Sequence, residues 1–161
     1  MLYLTINTCP LTIFPGINLS LLPLFFNIME LFNKVSDLIN AIAEKKKTGK
    51  TIGFVPTMGA LHAGHLSLLE NAQKENDITV VSIFVNPTQF NDPDDLRNYP
   101  RTPDKDLALL SAAGCNFVFM PSVDEIYPPT YHFSYTIGPL EEKMEGKFRP
   151  GHFQGVVKVV Y

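Results

Sequence analysis

Hydrophobic and polar positions divide the chain into an unpatterned leader and a body of alternating helical and extended segments. Residues 1–28 hold no charged side chain, are rich in Leu, Ile and Phe, and are interrupted by Pro10, Pro15 and Pro23. Those prolines argue against a continuous membrane-spanning helix, and the stretch has neither the basic start nor the small-residue cleavage site of a secretory signal. From Met29 a short apolar strand leads into a helix, because Leu31, Val35, Leu38, Ile39 and Ile42 recur at helical spacing. Gly49 ends that helix, behind Lys45, Lys46 and Lys47, which read as a solvated end complementing the helix dipole.

Thr51 to Val55 is a β-favouring run broken by Pro56 and Gly59, and from His65 onward Leu66, Leu68 and Leu69 predict a helix. Ile78 to Val85 is near-continuous and β-branched, the pattern of a parallel strand buried on both faces. Asn91 to Asn98, with Asp92, Asp94 and Asp95, reads as a solvated loop. Thr102, Pro103 and Asp104 then predict a helix start with threonine as N-cap and proline in the first turn. Leu107, Leu109, Leu110 and Ala113 supply the apolar side of this helix and Gly114 stops it. Asn116 to Met120 predicts the next strand, Tyr131 to Ile137 a further extended run, and a last helix runs into Tyr161.

Strand, helix and strand from Thr51 to Val85 form a βαβ unit, which implies an α/β fold: a Rossmann-like parallel sheet with helices on both faces. Ligands of such sheets sit beyond the carboxyl ends of the strands. Two such ends are the Pro56–His65 loop and the segment starting at Asn86. The first is a glycine loop feeding a helix N-terminus, whose unpaired N–H groups and partial positive charge suit a phosphate. His62 and His65, three apart with Gly64 between them, bring two imidazoles to that spot, and the missing Cβ of Gly64 permits close approach to the backbone. Such a pair also fits a metal site or two solvated side chains. In the second segment Pro87 fixes the turn and Gln89 offers an amide with both donors and an acceptor.

Composition narrows the class only slightly. With 161 residues, 45% hydrophobic and 18% charged, the chain is long enough for one domain with a real core. A net charge of −3 gives no electrostatic case for nucleic acid. Cys9 and Cys115 lie in unrelated contexts without metal-ligand spacing, so no metal site is expected from protein ligands and a reducing, cytoplasmic setting is the default.

The run Pro-Thr-Met-Gly-Ala-Leu-His-Ala-Gly-His, residues 56–65, resembles the His-x-Gly-His signature of the nucleotidylyltransferase superfamily. Its first four residues resemble one family in particular, the pantothenate synthetases or pantoate–β-alanine ligases. Three further motifs follow in the family's order: Asn86-Pro87-Thr88-Gln89-Phe90, Tyr99-Pro100-Arg101-Thr102, and Arg149-Pro150-Gly151-His152-Phe153-Gln154-Gly155-Val156. The resemblance spans Met29 to Tyr161, and its start at Met29 marks residues 1–28 as an upstream extension, with a membrane-associating leader as the alternative. Residues 29–161 are then a nucleotide-binding domain.

The resemblance implies an ATP-dependent ligation through a pantoyl adenylate, completed by β-alanine, with Mg²⁺ accompanying ATP. It implies His62 and His65 as the catalytic pair and Pro56, Thr57, Met58, Gly59, His62, Gly64 and His65 around ATP, with the backbone amides near Met58 and Gly59 as phosphate donors. Gln89, Tyr99 and Arg149 would hold pantoate. A cytoplasmic homodimer without nucleic-acid or membrane partners is implied by analogy. The family's second pantoate glutamine, its Gly-x-Lys-Asp lysine and its smaller C-terminal domain have no counterpart here, so the expectation is a chain with little or no ligase activity by itself. Two other readings are another His-x-Gly-His nucleotidylyltransferase, which leaves Gln89, Tyr99 and Arg149 unexplained, and a non-catalytic nucleotide-binding fragment.

Overall fold

A computed structural model describes residues 28–130, 135 and 137–160. Four strands, β1 (Glu30–Phe32), β2 (Ile52–Thr57), β3 (Ile78–Ile83) and β4 (Phe117–Phe119), form a sheet in the order β1-β4-β3-β2. Every pairing is parallel, with Phe54 opposite Val80, Val81 opposite Val118 and Leu31 opposite Val118 on its other side. From β1 at one edge the chain therefore crosses to the other through α1 (Val35–Lys47), and steps back through α2 (Ala63–Glu75) and α4 (Pro103–Ala112).

Alternation along the central strands sorts the core into two layers, because successive side chains point to opposite faces. Val81 and Val118 face one side with Val55, where Leu69 of α2 and Leu110 of α4 cover them. Val80, Phe117 and Phe119 face the other, covered by Leu38 of α1, with Ile126 of the short α5 (Val123–Ile126) packed at the margin. Helices thus flank both faces, as the strand pattern requires of a parallel sheet.

At the amino ends of β2 and β3, away from the loop that follows β2, Asp77 ties the strands together. Its carboxylate accepts the Thr51 amide at 3.0 Å, the Thr51 hydroxyl at 3.1 Å and the Lys50 ammonium at 2.9 Å.

Three local expectations change. Pro56 does not break its strand: β2 continues to Thr57, and because β2 is an edge strand the missing N–H costs no ladder bond that matters. Helix α2 begins at Ala63, ahead of His65, with His62 as its N-cap. The acidic stretch after Phe90 is not a loop but the short helix α3 (Pro93–Asn98), capped by the Asp92 carboxylate on the Asp94 amide at 2.8 Å. Beyond β4 lie α6 (Glu145–Phe148) and α7 (His152–Val160). The extended run expected over 131–137 falls, apart from Tyr135 and Ile137, outside the described residues.

Candidate active site

The loop between β2 and α2 is built by hydrogen bonds from below. Thr57, buried at the strand end, donates its hydroxyl to the Ser82 carbonyl at 2.6 Å and accepts the Gly59 amide at 3.2 Å. Gly59 and Ala60 then adopt left-handed conformations, with φ of 85° and 51°. Glycine meets that demand freely, whereas alanine does so at a cost of order 1 kcal/mol. The next two amides, of Ala60 and Leu61, donate to the buried carboxylate of Asp106 at 3.0 and 2.8 Å. Three consecutive loop amides are therefore engaged inside the protein, and Gly59 contributes shape here, not a donor for phosphate.

The two histidines form a reciprocal cap on α2. His62 Nδ1 accepts the Gly64 amide at 3.1 Å, and His65 Nδ1 accepts the His62 amide at 3.4 Å. An imidazole nitrogen that accepts an N–H must be unprotonated, so each ring, when neutral, carries its proton on Nε2 and keeps that N–H as a donor. The rings stand 4.2 Å apart between centroids, tilted by 48°. A Cβ on Gly64 would lie 2.9 Å from His62 Cε1, so its absence makes room for the ring, not for a ligand's approach to the backbone. Burial holds the His65 pKa below its ordinary 6.5, the neighbouring His62 pushes the same way, and the Asp106 charge opposes both.

A cavity of about 300 Å³ opens at the carboxyl ends of β2 and β3. It is lined by Pro56, Thr57, Met58 and His65 from the β2 end and the loop after it, by Ser82 and Phe84, and by Gln89 and Tyr99. Half-exposed Phe54 of edge strand β2 and Val156, Val159 and Val160 of α7 complete the lining. The fold thus brings together six of the residues expected at the site: Pro56, Thr57, Met58, His65, Gln89 and Tyr99. His62 and Gly64 stand one step away on the α2 cap. Gly59 lines a second cavity, of about 320 Å³, with Asp106 and Arg101. Arg149 is not in the cavity wall; its guanidinium faces Asp95 of α3 at 3.8 Å.

Gln89 is placed by Asn86 and by contacts from α7 that local patterns do not reveal. Asn86, 1% exposed, caps the turn Pro87–Gln89 and uses its whole amide: Nδ2 donates to the Gly155 carbonyl at 2.9 Å, while Oδ1 accepts from the Thr88 hydroxyl at 2.8 Å and the Tyr127 hydroxyl at 2.9 Å. Gly155 in turn lets α7 press onto Thr88, whose carbonyl a Cβ at that position would overlap. His152 Nδ1 stands 3.1 Å from the Gln89 carbonyl. An asparagine before a proline at a strand end is a legible capping signal; the glycine and Asp106 have no such local mark.

Known proteins resemble this chain closely. The family model described as pantoate-beta-alanine ligase matches residues 30–161. The pantothenate synthetase of Porphyromonas gingivalis is 58% identical over 132 residues, covering 82% of this chain and 47% of the relative. That of Aquifex aeolicus is 52% identical over 130 residues, covering 81% and 46%. Among solved structures, pantothenate synthetase from Thermus thermophilus superposes with a TM-score of 0.74 at 45% identity, covering 82% of this chain and 46% of that one. The pantoate-beta-alanine ligase from Francisella tularensis, complexed with beta-gamma ATP and beta-alanine, also gives 0.74, at 41% identity with 82% and 51% coverage. The chain spans about half the length of the curated relatives it matches. With the family model matched from residue 30 to residue 161 and relatives more than half identical over that span, this chain belongs to the pantoate-beta-alanine ligase family.

Proposed function

We propose that the chain binds ATP and pantoate and supplies the site for the adenylation half of a pantoate–β-alanine ligation. The pantoate carboxylate attacks the α-phosphorus of ATP and pyrophosphate leaves; in the complete reaction the amine of β-alanine displaces AMP from the acyl adenylate. One observation carries this reading: His65, the end of β2, Gln89 and Tyr99 converge on a single cavity. The ligands named with the Francisella ligase support ATP and β-alanine as substrates of the family reaction.

The chemical demand is to bring two anions together and stabilise extra negative charge on phosphorus, which is a matter of positioning and electrostatics. Neutral imidazoles that keep Nε2–H, on the amino end of a 13-residue helix, supply donors without a competing positive charge to desolvate. Gln89 holds pantoate through an amide that both donates and accepts, and Tyr99 closes the wall beside it. Arg149 enters the proposal only through the family resemblance, since its guanidinium faces Asp95. Mg²⁺ fits as a companion of ATP: among the described residues no group of three His, Cys, Asp or Glu side chains could hold a metal ion, and the phosphates would supply much of its coordination. A cytoplasmic homodimer completes the reading on family resemblance, and light scattering on the purified chain tests its mass. Among the described residues no helix is long and apolar enough to cross a membrane.

The test is equilibrium binding of ATP and of pantoate, beside pantoate-dependent ATP–pyrophosphate exchange. His65→Ala weakens ATP binding and lowers any exchange by about 10²- to 10³-fold, the usual loss for one preorganised donor. Gln89→Ala weakens pantoate alone. A folded chain that binds neither ligand sinks the proposal.

A further inference from the structure

Asp106 has no part in the adenylation chemistry, yet its carboxylate is the most deeply buried charged group among the described residues, at 1% exposure. A carboxylate is taken out of water only where several donors replace its hydration. Here Leu61 N–H and the Thr102 hydroxyl reach Oδ1 at 2.8 and 3.2 Å, and Ala60 N–H reaches Oδ2 at 3.0 Å. The two amides belong to the residues directly before His62. The second of them, Leu61, sets the peptide from which the cap of α2 starts.

We propose that Asp106 is a positioning residue for the nucleotide loop: from α4 it grips the Ala60 and Leu61 amides and so fixes where His62 and His65 present their Nε2–H donors. This rests on the ATP-binding reading above. Ala60 supplies independent support, because a non-glycine residue at φ 51° persists only where its surroundings hold it there. Gly59 supplies more, since a Cβ on it would lie 3.2 Å from Oδ2, so loop and carboxylate fit each other closely. Its position in the first turn of α4, three residues after Pro103, places the carboxylate against the loop and not against solvent. The other acid of that turn, Asp104, is exposed.

Asp106→Asn keeps the size but sets an NH₂ group against an amide donor. In the wild-type background this variant weakens ATP binding about tenfold or more, the scale of one buried hydrogen bond lost from a charged acceptor. In the His65→Ala background the same change costs much less, since the donor it was positioning is gone. A purely structural role gives equal effects in both backgrounds. Leu110→Ala is the control: it removes an apolar side chain from the same helix, lowers the melting temperature and leaves ATP affinity of the folded chain unchanged. If Asp106→Asn does not fold, Thr102→Val removes one donor to the carboxylate and spares both loop amides; about two- to fivefold weaker binding, again only with His65 present, is expected. Unchanged affinity in the variant that folds, or equal effects with and without His65, overturns the proposal while the ATP reading stands. A folded wild-type chain that binds no ATP defeats both.

Discussion

His65 Nδ1 takes the backbone N–H of His62 at 3.4 Å while the two rings lie 4.2 Å apart, so the residue that His65 caps also stands beside its ring and disfavours a positive charge there. The His65 pKa is lowered from 6.5 first by burial and then by His62. A lowered pKa means the unfolded chain binds the proton more readily, so the contribution of neutral His65 to stability is complete above pH 6.5. It is lost as pH falls from there through the folded pKa. Histidine NMR titration is expected to place the His65 midpoint below 6.5, and His62→Ala to move it upward without restoring it fully, since burial remains. A midpoint at or above 6.5 in the wild-type chain contradicts the cap geometry.

The contact between Gly155 and Thr88 leaves no room for a side chain. Gly155→Ala is expected to force α7 off the turn that carries Gln89, at a cost of about 1–3 kcal/mol typical of overpacking. Urea denaturation reads the loss of stability, and pantoate binding reads the displacement of Gln89. A variant with unchanged midpoint and affinity would mean that the contact is slack.

Asn86→Ala removes the bonds to Gly155, Thr88 and Tyr127 together at a site 1% exposed. Each buried hydrogen bond lost costs about 0.5–1.5 kcal/mol, so the expected loss is about 2–4 kcal/mol. Asn86→Asp retains the acceptor but turns the donor facing the Gly155 carbonyl into a second acceptor, so it is expected to destabilise too. A Tm within about a degree of wild type for both variants would mean that Asn86 does not hold the turn.

Asp77 works at the other end of the sheet. The Thr51 amide, then Lys50 and the Thr51 hydroxyl, lower its pKa to about 2 from 3.8. Its contribution is therefore present above pH 3.8 and fades as pH falls through about 2. Carboxyl NMR is expected to show that low midpoint, and Thr51→Ala to raise it by removing the hydroxyl while the amide stays. A normal midpoint in the wild-type chain would mean that the staple does not form in solution.

Much of the fold is legible in the sequence because its causes are local. Ile78–Ile83 is almost entirely β-branched, and Leu107 and Leu110 recur at helical spacing. Those signals operate within one turn or one strand, so the chain states them itself. The bonds of the histidine cap span only two and three residues, yet the pattern of apolar residues starts α2 at His65, past the cap. Pro56 reads as a strand breaker because its tolerance depends on β2 being an edge strand, a property of strand order. The stretch 93–98 reads as a loop because its helix is short, has Leu96 as its one large apolar side chain, and is capped by Asp92. Asp106 carries no local signal of its role, because the amides it accepts lie 45 and 46 residues away.

The sequence by itself determined the α/β class, the succession of the central strands and their long crossover helices, the strand-to-helix loop with His62 and His65, and the turn bearing Gln89. Tertiary structure alone decided that His65, Gln89 and Tyr99 share one cavity while Arg149 turns to Asp95, and that Asn86 reaches Gly155 across 69 residues. The physical reason is that backbone preference and capping are fixed by near neighbours in the chain. The environment of a buried carboxylate or amide is set by whichever distant groups the packed sheet brings within hydrogen-bonding reach.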